Sequence, residues 1–238
     1  MTDDKRENRA CILEVIACTV EDAIDAECGG AHRLEIISRF ETGGLTPLLD
    51  LVREIQSAVK LPLRVMLRES DSYEVLDEKE IEKLCAAARE LNAMRVDGIV
   101  LGFLQGRKVD VELTKRVLAC APNLKATFHH AFEETKDKFA AIEVLKSTPQ
   151  IDKILTRGGN GNWAEKYSLL EIYAQAAQPA MKILAGGGVD AEAIKLLKKK
   201  TSVREFHVGS AARADGAVSK ELAARLAEAA RGGLKNYD

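Results

Sequence analysis

Short apolar runs rich in β-branched residues alternate with longer stretches of helical period along nearly the whole chain. In the longer stretches the apolar residues recur three or four positions apart, a spacing typical of an amphipathic helix. The segment PLLDLVREIQSAV shows this spacing, and Asp77 stands where it can cap the long charged helix after the third run. We therefore predict eight strands, at 11–17, 32–37, 63–67, 98–102, 125–129, 153–156, 182–186 and 205–208.

Eight strand-then-helix units of about 30 residues each match the length that a (β/α)₈ TIM barrel requires. Strands separated by helices pair in parallel, because parallel strands need long crossover connections. An open doubly wound sheet is the competing architecture, but the count of eight and the lack of a strong G-x-G-x-x-G motif after the first strand favour the barrel. No linker rich in Pro, Gly or Ser divides the chain, so we predict one domain over residues 1–238 with a charged N-terminal tail at 1–10.

The composition restricts the cellular location and the partners expected for the protein, but it does not indicate a function. Among 238 residues, 35 Lys and Arg stand against 37 Asp and Glu, which gives a net charge of −2. This balance offers no electrostatic attraction to nucleic acid or to an anionic membrane, and no apolar run approaches the ~18 residues of a membrane span. The N-terminus has no signal-peptide pattern, and the five cysteines show no paired spacing. We therefore expect a cytoplasmic protein with reduced thiols and with neither a nucleic-acid nor a membrane partner.

Two carboxylates and one arginine stand out, because catalytic groups of a (β/α)₈ barrel lie near the carboxyl ends of its strands. Glu14 and Glu35 lie inside the apolar runs LEV and LEI, and Arg68 follows the third strand. A carboxylate in such a position is costly unless it is paired or hydrogen-bonded. One interpretation is a buried acid–base cluster, in which one glutamate acts as general base and Arg68 holds an anion. The alternative is that Glu14 or Glu35 lies at the bottom of the barrel or pairs with a neighbouring Arg33 or Arg64.

Two histidines add to this candidate site. His129 closes the apolar strand ATFH and faces a new loop, and His207 lies in the last strand, EFHV. Imidazole transfers protons near neutral pH and also binds metals, so His129 is a candidate general acid. A hydrogen-bonded structural role is the alternative for both. Together, the two glutamates, Arg68 and the two histidines predict an enzyme that abstracts a proton beside a carbonyl, as an isomerase or a lyase does.

Glycine-rich segments follow the last three strands. In this fold the loops after strands seven and eight often cradle a phosphate through backbone N–H groups that only glycine lets a ligand approach. We therefore predict that a small anionic molecule binds there, although tight turns alone would also explain the glycines. The predicted anion-binding residues are Arg157, Gly158, Gly159, Gly186, Gly187, Gly188, Gly209 and Ser210.

A series of motifs carries a family resemblance. LEV, AHRLEI, SRFETGGLTP, VMLR, TFHHAF, LTRGGN, LAGGGV and EFH with GSA follow one another over residues 12–213 and resemble the copper homeostasis protein CutC family. The resemblance implies a TIM barrel, a cytoplasmic location, a link to copper tolerance and Cu(I) binding, and oligomerisation in some members, so a homo-oligomer is one expectation. It implies no settled enzymatic reaction. The family's polar residues correspond to Glu14, Glu35, Arg68, His129 and His207.

The departures from the family pattern concern copper. Family members usually read LEVC and IELC, whereas Ile16 and Ile37 occupy the two cysteine positions here. Cu(I) prefers thiolate and thioether ligands, so this chain is expected to bind copper weakly unless Cys18 or the histidines substitute. Three hypotheses remain open: a copper homeostasis protein, an acid–base enzyme acting on a small anionic or phosphorylated metabolite, and a purely structural or partner-binding protein.

Overall fold

Eight parallel strands close into a barrel in the computed structural model, which describes residues 10–75 and 77–231. The ring closes because the first strand pairs in parallel with both the second and the last. The predicted (β/α)₈ fold is thus confirmed, while the N-terminal tail expected at 1–10 lies outside the described residues except for its last residue. The strands are β1 Ile12–Ala17, β2 Arg33–Ile36, β3 Leu63–Met66, β4 Gly98–Leu101, β5 Lys125–Phe128, β6 Ile151–Thr156, β7 Lys182–Ala185 and β8 Glu205–Val208.

A helix follows each strand and covers the outside of the barrel. Most of these helices begin at a residue whose side chain accepts a hydrogen bond from a first-turn amide, as Asp77 does from Lys79 N at 3.0 Å. The helix predicted after the fifth strand is in two pieces, a single turn at Ala131–Glu134 and then a longer helix. The helices are α1 Val20–Cys28, α2 Leu49–Ala58, α3 Glu78–Met94, α4 Val111–Ala119, α5 Lys138–Lys146, α6 Trp163–Ala177, α7 Ala191–Lys200 and α8 Lys220–Arg231. None of the helices so described is long and apolar enough to cross a membrane.

The strands alternate between a helix-facing and an interior side, as the period of two requires. On β1, Leu13 and Val15 are fully buried in the large apolar core between barrel and helices. Glu14 lies on the opposite side of the strand, and Ile16 packs with an apolar cluster that contains Ile37. Side chains that point inward near the carboxyl ends of the strands therefore meet at the mouth of the barrel.

The amino-terminal half of the barrel interior holds an ionic network. Arg33 bonds both Glu14 and Glu205, and its Nη2 lies 2.9 Å from Glu205 Oε2. Arg64 donates to Asp97 at 2.6 Å and to both oxygens of Asp152 at 2.9 and 3.0 Å. Buried charges of this kind are tolerated because they are paired. The pairing expected as an alternative for the strand glutamates is therefore present for Glu14, with Arg33 as its partner.

Candidate active site

A cavity of about 550 Å³ opens at the carboxyl ends of the strands, within the ring of loops. This is the end of the barrel at which the sequence analysis places the chemistry. The predicted site residues that line the cavity are Glu35, Arg68, His129, Gly187, Gly188, His207, Gly209 and Ser210. The predicted residues outside the lining are Glu14, Cys18, Arg157, Gly158, Gly159 and Gly186.

His207 stands between two buried carboxylates. Its Nδ1 donates to Glu14 Oε1 at 2.9 Å, and its Nε2 lies 3.4 Å from Glu35 Oε2. The barrel register creates this arrangement, because Glu14 on β1 lies directly beside His207 on β8. Burial opposes a charge on the ring, but the carboxylates of Glu35 and Glu14 outweigh burial and raise the pKa of His207. The pair of carboxylates thus favours the imidazolium form of this histidine.

Glu14 is a fixed anion that supports the cavity from below. Arg33 Nε donates to one carboxylate oxygen and His207 donates to the other. Burial alone would raise the pKa of Glu14, but Arg33 and His207 outweigh burial and hold that pKa well below its ordinary value. With both oxygens occupied and no surface in the cavity, Glu14 is the less suitable general base of the two.

Glu35 has the opposite character. It lines the cavity with only 3% of its side chain exposed, and its Oε1 has no hydrogen-bond partner among the described residues. Burial raises its pKa to about 7; the charge on His207 opposes this rise and Glu14 adds to it. A carboxyl group that titrates near neutral pH can both accept and return a proton at the working pH. Of the two carboxylates that the sequence left open, Glu35 is therefore the one with the properties of a general base.

His129 is buried, and its two ring nitrogens differ. The backbone amide of Ala131 donates to Nδ1 at 3.1 Å, so the neutral ring carries its proton on Nε2. Nε2 has no partner in the described part of the chain, and the ring lines the cavity. Burial, with added repulsion from Arg68 and His130, lowers the pKa of His129 to about 3. His129 is thus held as a neutral hydrogen-bond donor, which differs from the proton-delivering general acid that the sequence predicted.

Arg68 places a positive charge in the cavity wall. Its guanidinium donates to the backbone oxygens of Thr42, Gly44 and Asp71 and lies 4.8 Å from the centre of the Tyr73 ring. Within residues 10–75 and 77–231 it forms no ion pair with a carboxylate, and its Nε has no partner. Backbone oxygens orient the side chain without cancelling its charge, so Arg68 keeps the properties of an anion-binding group.

The predicted glycines divide into two groups. A Cβ at Gly158 would lie 2.6 Å from Leu170 Cγ, and one at Gly186 would lie 2.5 Å from Leu155 Cδ1, so close packing explains both. Gly159 likewise faces Leu169, at 3.1 Å from a built Cβ. The remaining predicted residues of these loops, Gly187, Gly188, Gly209 and Ser210, line the cavity.

Arg157 lies at the edge of the cavity and is partly neutralised. Its Nε is 3.9 Å from Glu133 Oε2, and its backbone amide donates to Glu133 Oε1 at 2.7 Å. The same carboxylate accepts from Thr156 Oγ1 at 2.6 Å. Glu133 therefore fixes the start of the loop after β6 and reduces the charge that Arg157 can offer to an anion.

The donor set of the cavity does not fit Cu(I). Ile16 and Ile37, at the positions where the resemblance places cysteines, line the cavity and offer no ligand atom. Cys18 faces a separate cavity of about 300 Å³, where its Sγ lies 3.6 Å from Arg213 Nη2. Burial raises the pKa of the Cys18 thiol, which disfavours the thiolate. In the described residues no group of three or more His, Cys, Asp and Glu side chains is placed to hold a metal ion.

Tyr73, Phe40 and His130 line the cavity but were not among the site residues predicted from the sequence. Tyr73 lies under Arg68 and its ring centre is 5.2 Å from that of His129. Phe40 forms part of the wall, and the Arg213 guanidinium lies 4.6 Å from the centre of its ring. Tyr73 and Phe40 belong to loops whose path a strand or helix pattern does not predict; the only signal was their position a few residues after a strand.

The closed ring of eight parallel strands defines a TIM-barrel protein, and ionisable residues line the cavity at the carboxyl ends of its strands. The model of the CutC family matches residues 11–212. The chain therefore belongs to the CutC family, which confirms the resemblance carried by its motifs.

Relatives and solved structures agree with this assignment. The chain is 30% identical over 197 residues to the human copper homeostasis protein cutC homolog, covering 82% of this chain and 72% of the human protein. It is also 30% identical over 199 residues to a CutC family protein of Xanthomonas campestris, covering 83% and 82% of the two chains. The crystal structure of CutC from Streptococcus agalactiae superimposes with a TM-score of 0.76 at 23% identity, over 84% of this chain and 98% of that one, which shows a shared fold.

Proposed function

We propose that this CutC-family protein is an acid–base enzyme of the isomerase or lyase type that acts on a small anionic metabolite. The observation that carries the proposal is Glu35, a buried carboxyl group that lines the cavity with one free oxygen and a pKa of about 7. Carboxyl groups that line a cavity and have strongly shifted pKa values occur mainly at functional sites, because stability alone does not favour them.

Each cavity residue has a role in this mechanism. The carboxylate of Glu35 takes a proton from the carbon beside a substrate carbonyl, and the C–H electron pair moves into the new C=C bond of an enolate. The negative charge moves to the carbonyl oxygen, where the Nε2–H of His129 donates a hydrogen bond. A neutral imidazole is suited to this task because it stabilises the oxyanion without surrendering its own proton first. Return of the proton from Glu35 to the same carbon restores the C=O bond and exchanges the hydrogen. Where that carbon carries a hydroxyl, transfer of the hydroxyl proton to the first oxygen lets Glu35 protonate the former carbonyl carbon instead, and this completes an isomerisation.

Arg68 and His207 support these steps. Arg68 holds an anionic group of the substrate and so orients the carbon that loses its proton. His207 Nε2 lies 3.4 Å from Glu35 Oε2, whereas Glu35 Oε1 has no partner among the described residues and is the oxygen that takes the proton in this mechanism. The charge of His207 also keeps the pKa of Glu35 from rising further, so a usable fraction of carboxylate exists at neutral pH.

A role in copper homeostasis, which the names of the human and mouse relatives print, is the alternative function, and direct Cu(I) binding is its simplest form. The cavity supports it less well, since its lining offers one thioether, from Met66, and no thiol. A cytoplasmic location agrees with either proposal.

The proposed reaction is tested by proton exchange. Small 2-oxo and 2-hydroxy acids and their phosphate esters are incubated with the protein in D₂O, and loss of the C–H signal is followed by ¹H NMR. We expect one class to exchange and Glu35→Gln to slow that exchange by about 100-fold or more. Glu41→Gln, which removes the same charge from the exposed rim of the cavity, is the matched control and leaves the rate within about twofold. Equal rates in wild type and Glu35→Gln, or no exchange with any compound, would refute the proposal.

A further inference from the structure

The two sides of the cavity that face each other both offer hydrogen-bond donors. In the closed ring of strands, β3 and β7 stand four places apart, so the loops after them face each other across the mouth. Arg68 follows β3, and Gly187 and Gly188 follow β7, and all three line the cavity. Glu35 and His207 lie on β2 and β8, at the wall between these two sides.

The loop after β7 presents two backbone N–H groups to the cavity. Gly187 and Gly188 adopt φ values of 73° and 92°, in the left-handed region that favours glycine. In the described part of the chain their amides donate to no protein acceptor. A Cβ built at Gly188 meets no atom within 4 Å, so a ligand can approach this backbone closely. Packing explains Gly158 and Gly186, and also Gly187, whose Cβ would lie 2.7 Å from Arg157 Cβ, but it does not explain the opening at Gly188.

His130 supplies a second, independent observation on the same side. Its Nδ1 is inaccessible to solvent and lacks a partner within the described residues, and the ring lines the cavity. Its Cε1 lies 3.6 Å from the position that a Cβ of Gly187 would take. An anion placed against Gly187 and Gly188 would accept a hydrogen bond from this nitrogen when Nδ1 carries the ring proton.

We propose that the substrate has two anionic ends, a carboxylate bound at Arg68 and a phosphate bound by Gly187, Gly188 and His130. This inference rests on the proposed function, since it places the reacting carbon between the two ends and beside Glu35. A carboxylate suits the Arg68 side, where backbone oxygens already occupy part of the guanidinium. A phosphate suits the glycine side, where several N–H donors converge on one position.

Binding of separate anions tests the two ends one at a time. Protein labelled with ¹⁵N-glycine and ¹⁵N-arginine is titrated with inorganic phosphate, with acetate and with 3-phosphoglycerate, which carries both groups. We expect phosphate to shift the amide signals of Gly187 and Gly188, acetate to shift Arg68 Nε, and 3-phosphoglycerate to bind at least about tenfold more tightly than either.

Two variants distinguish the proposed carboxylate site from the proposed phosphate site. Gly188→Ala is expected to weaken phosphate binding by about tenfold or more and to leave acetate binding unchanged, whereas Arg68→Met has the opposite effect. Gly216→Ala is the matched control, because Gly216 has a φ of 86° and equally open space but lies outside this cavity. Phosphate and acetate competing at Arg68, equal effects of Gly188→Ala and Gly216→Ala, or no binding of phosphate would each overturn the inference.

The same experiment distinguishes this inference from the proposed function. Glu35→Gln is expected to keep both anion affinities, since Glu35 contacts neither end. Anion binding at both ends without any proton exchange would refute the proposed reaction alone. Proton exchange that Gly188→Ala leaves unchanged, in a protein that binds no phosphate, would refute the second anion site alone.

Discussion

His207 Nε2 lies 3.4 Å from Glu35 Oε2, and of these two neighbouring buried groups His207 favours its charged form whereas Glu35 is shifted towards its neutral form. Burial disfavours the charged form of both. The carboxylates around His207 nevertheless raise its pKa, while the pKa of Glu35 rises to about 7. A carboxyl group that is half ionised at neutral pH can take up and return a proton, and the neighbouring imidazolium stabilises its ionised form.

The first prediction concerns stability and pH. The pKa of Glu35 is about 7 in the folded protein and near 4.5 in the unfolded chain, so the folded state favours its protonated form. The stabilisation is complete below about pH 4.5 and is lost as the pH rises to 7 and above, by an amount on the order of 3 kcal/mol. We therefore expect Glu35→Gln to be more stable than wild type at pH 8 and nearly equal to it at pH 4.5. Urea unfolding at both pH values measures the difference; a constant difference would contradict the account.

The second prediction concerns Glu14, whose lowered pKa has the opposite sign. Its ionised form stabilises the fold above pH 4.5, and this contribution is lost as the pH falls below that value. Glu14→Gln leaves Arg33 with Glu205 alone and His207 with Glu35 alone as buried counter-charge, and is expected to cost on the order of 3 kcal/mol at pH 7. It should also lower the pKa of His207, which ¹³C NMR of the imidazole measures. Glu21→Gln on the exposed face of α1 is the control, and a His207 pKa that does not change would contradict the role given to Glu14.

The third prediction concerns the charge of His129. Burial keeps its pKa at about 3, and the amide of Ala131 fixes the tautomer with the proton on Nε2. ¹⁵N NMR of labelled histidine, with the His129 signal assigned by its loss in His129→Phe, should therefore show this ring neutral and protonated on Nε2 throughout pH 5–8. His129→Phe should slow proton exchange by about 100-fold while the fold is retained. A His129 signal that titrates near pH 6.5 would instead support the general acid that the sequence predicted.

The fourth prediction concerns the ionic network at the other end of the barrel. Arg64 is 2% exposed and pairs with Asp97 and Asp152, so Arg64→Leu removes a buried guanidinium from two partly exposed carboxylates, of which Asp152 keeps Lys153. We expect a loss of about 2 kcal/mol in the free energy of unfolding, because three hydrogen bonds to charged groups are lost while the carboxylates remain in contact with water. Arg53→Leu, which breaks exposed pairs with Asp50 and Glu90, should change it by less than about 1 kcal/mol. Equal losses would show that the buried network adds nothing special to stability.

The fifth prediction concerns copper. Reduced protein is titrated against a Cu(I) chelator of known affinity, and we expect no competition because Ile16 and Ile37 offer no ligand atom. The double variant Ile16→Cys with Ile37→Cys restores two thiols to the cavity wall and is expected to gain binding. Tight stoichiometric binding by the wild type, abolished by Cys18→Ser, would contradict the account of the donor set.

Much of the fold could be predicted from the sequence because a barrel is built from local periodicity. Alternating strands such as ILEVIA and amphipathic helices such as LDLVREIQSA carry their own pattern, and eight such units admit few closed arrangements. The candidate site was partly predictable for the same reason. Glu35 and His129 occupy strand ends, so the fold alone directs them towards the mouth.

The remaining features depend on contacts between distant parts of the chain. Glu14 and Glu35 occur in nearly identical local sequences, LEV and LEI, and the bonds of Glu14 to Arg33 and His207 separate a fixed anion from a titrating group. The glycines pose the same difficulty, since Gly186 is required by packing against Leu155 whereas Gly188 faces open space. Neither distinction is present in the local pattern.

The titration of Glu35 tests the central claim most directly. With ¹³C-labelled glutamate and Glu35→Gln to assign the signal, NMR follows the side-chain carboxyl carbon of Glu35 from pH 4 to pH 9. The account predicts a midpoint near 7, together with a signal change at His207 as the neighbouring charge appears. A Glu35 midpoint near 4.5 would mean that this carboxyl group is an ordinary anion, and the proposed acid–base function would then be wrong.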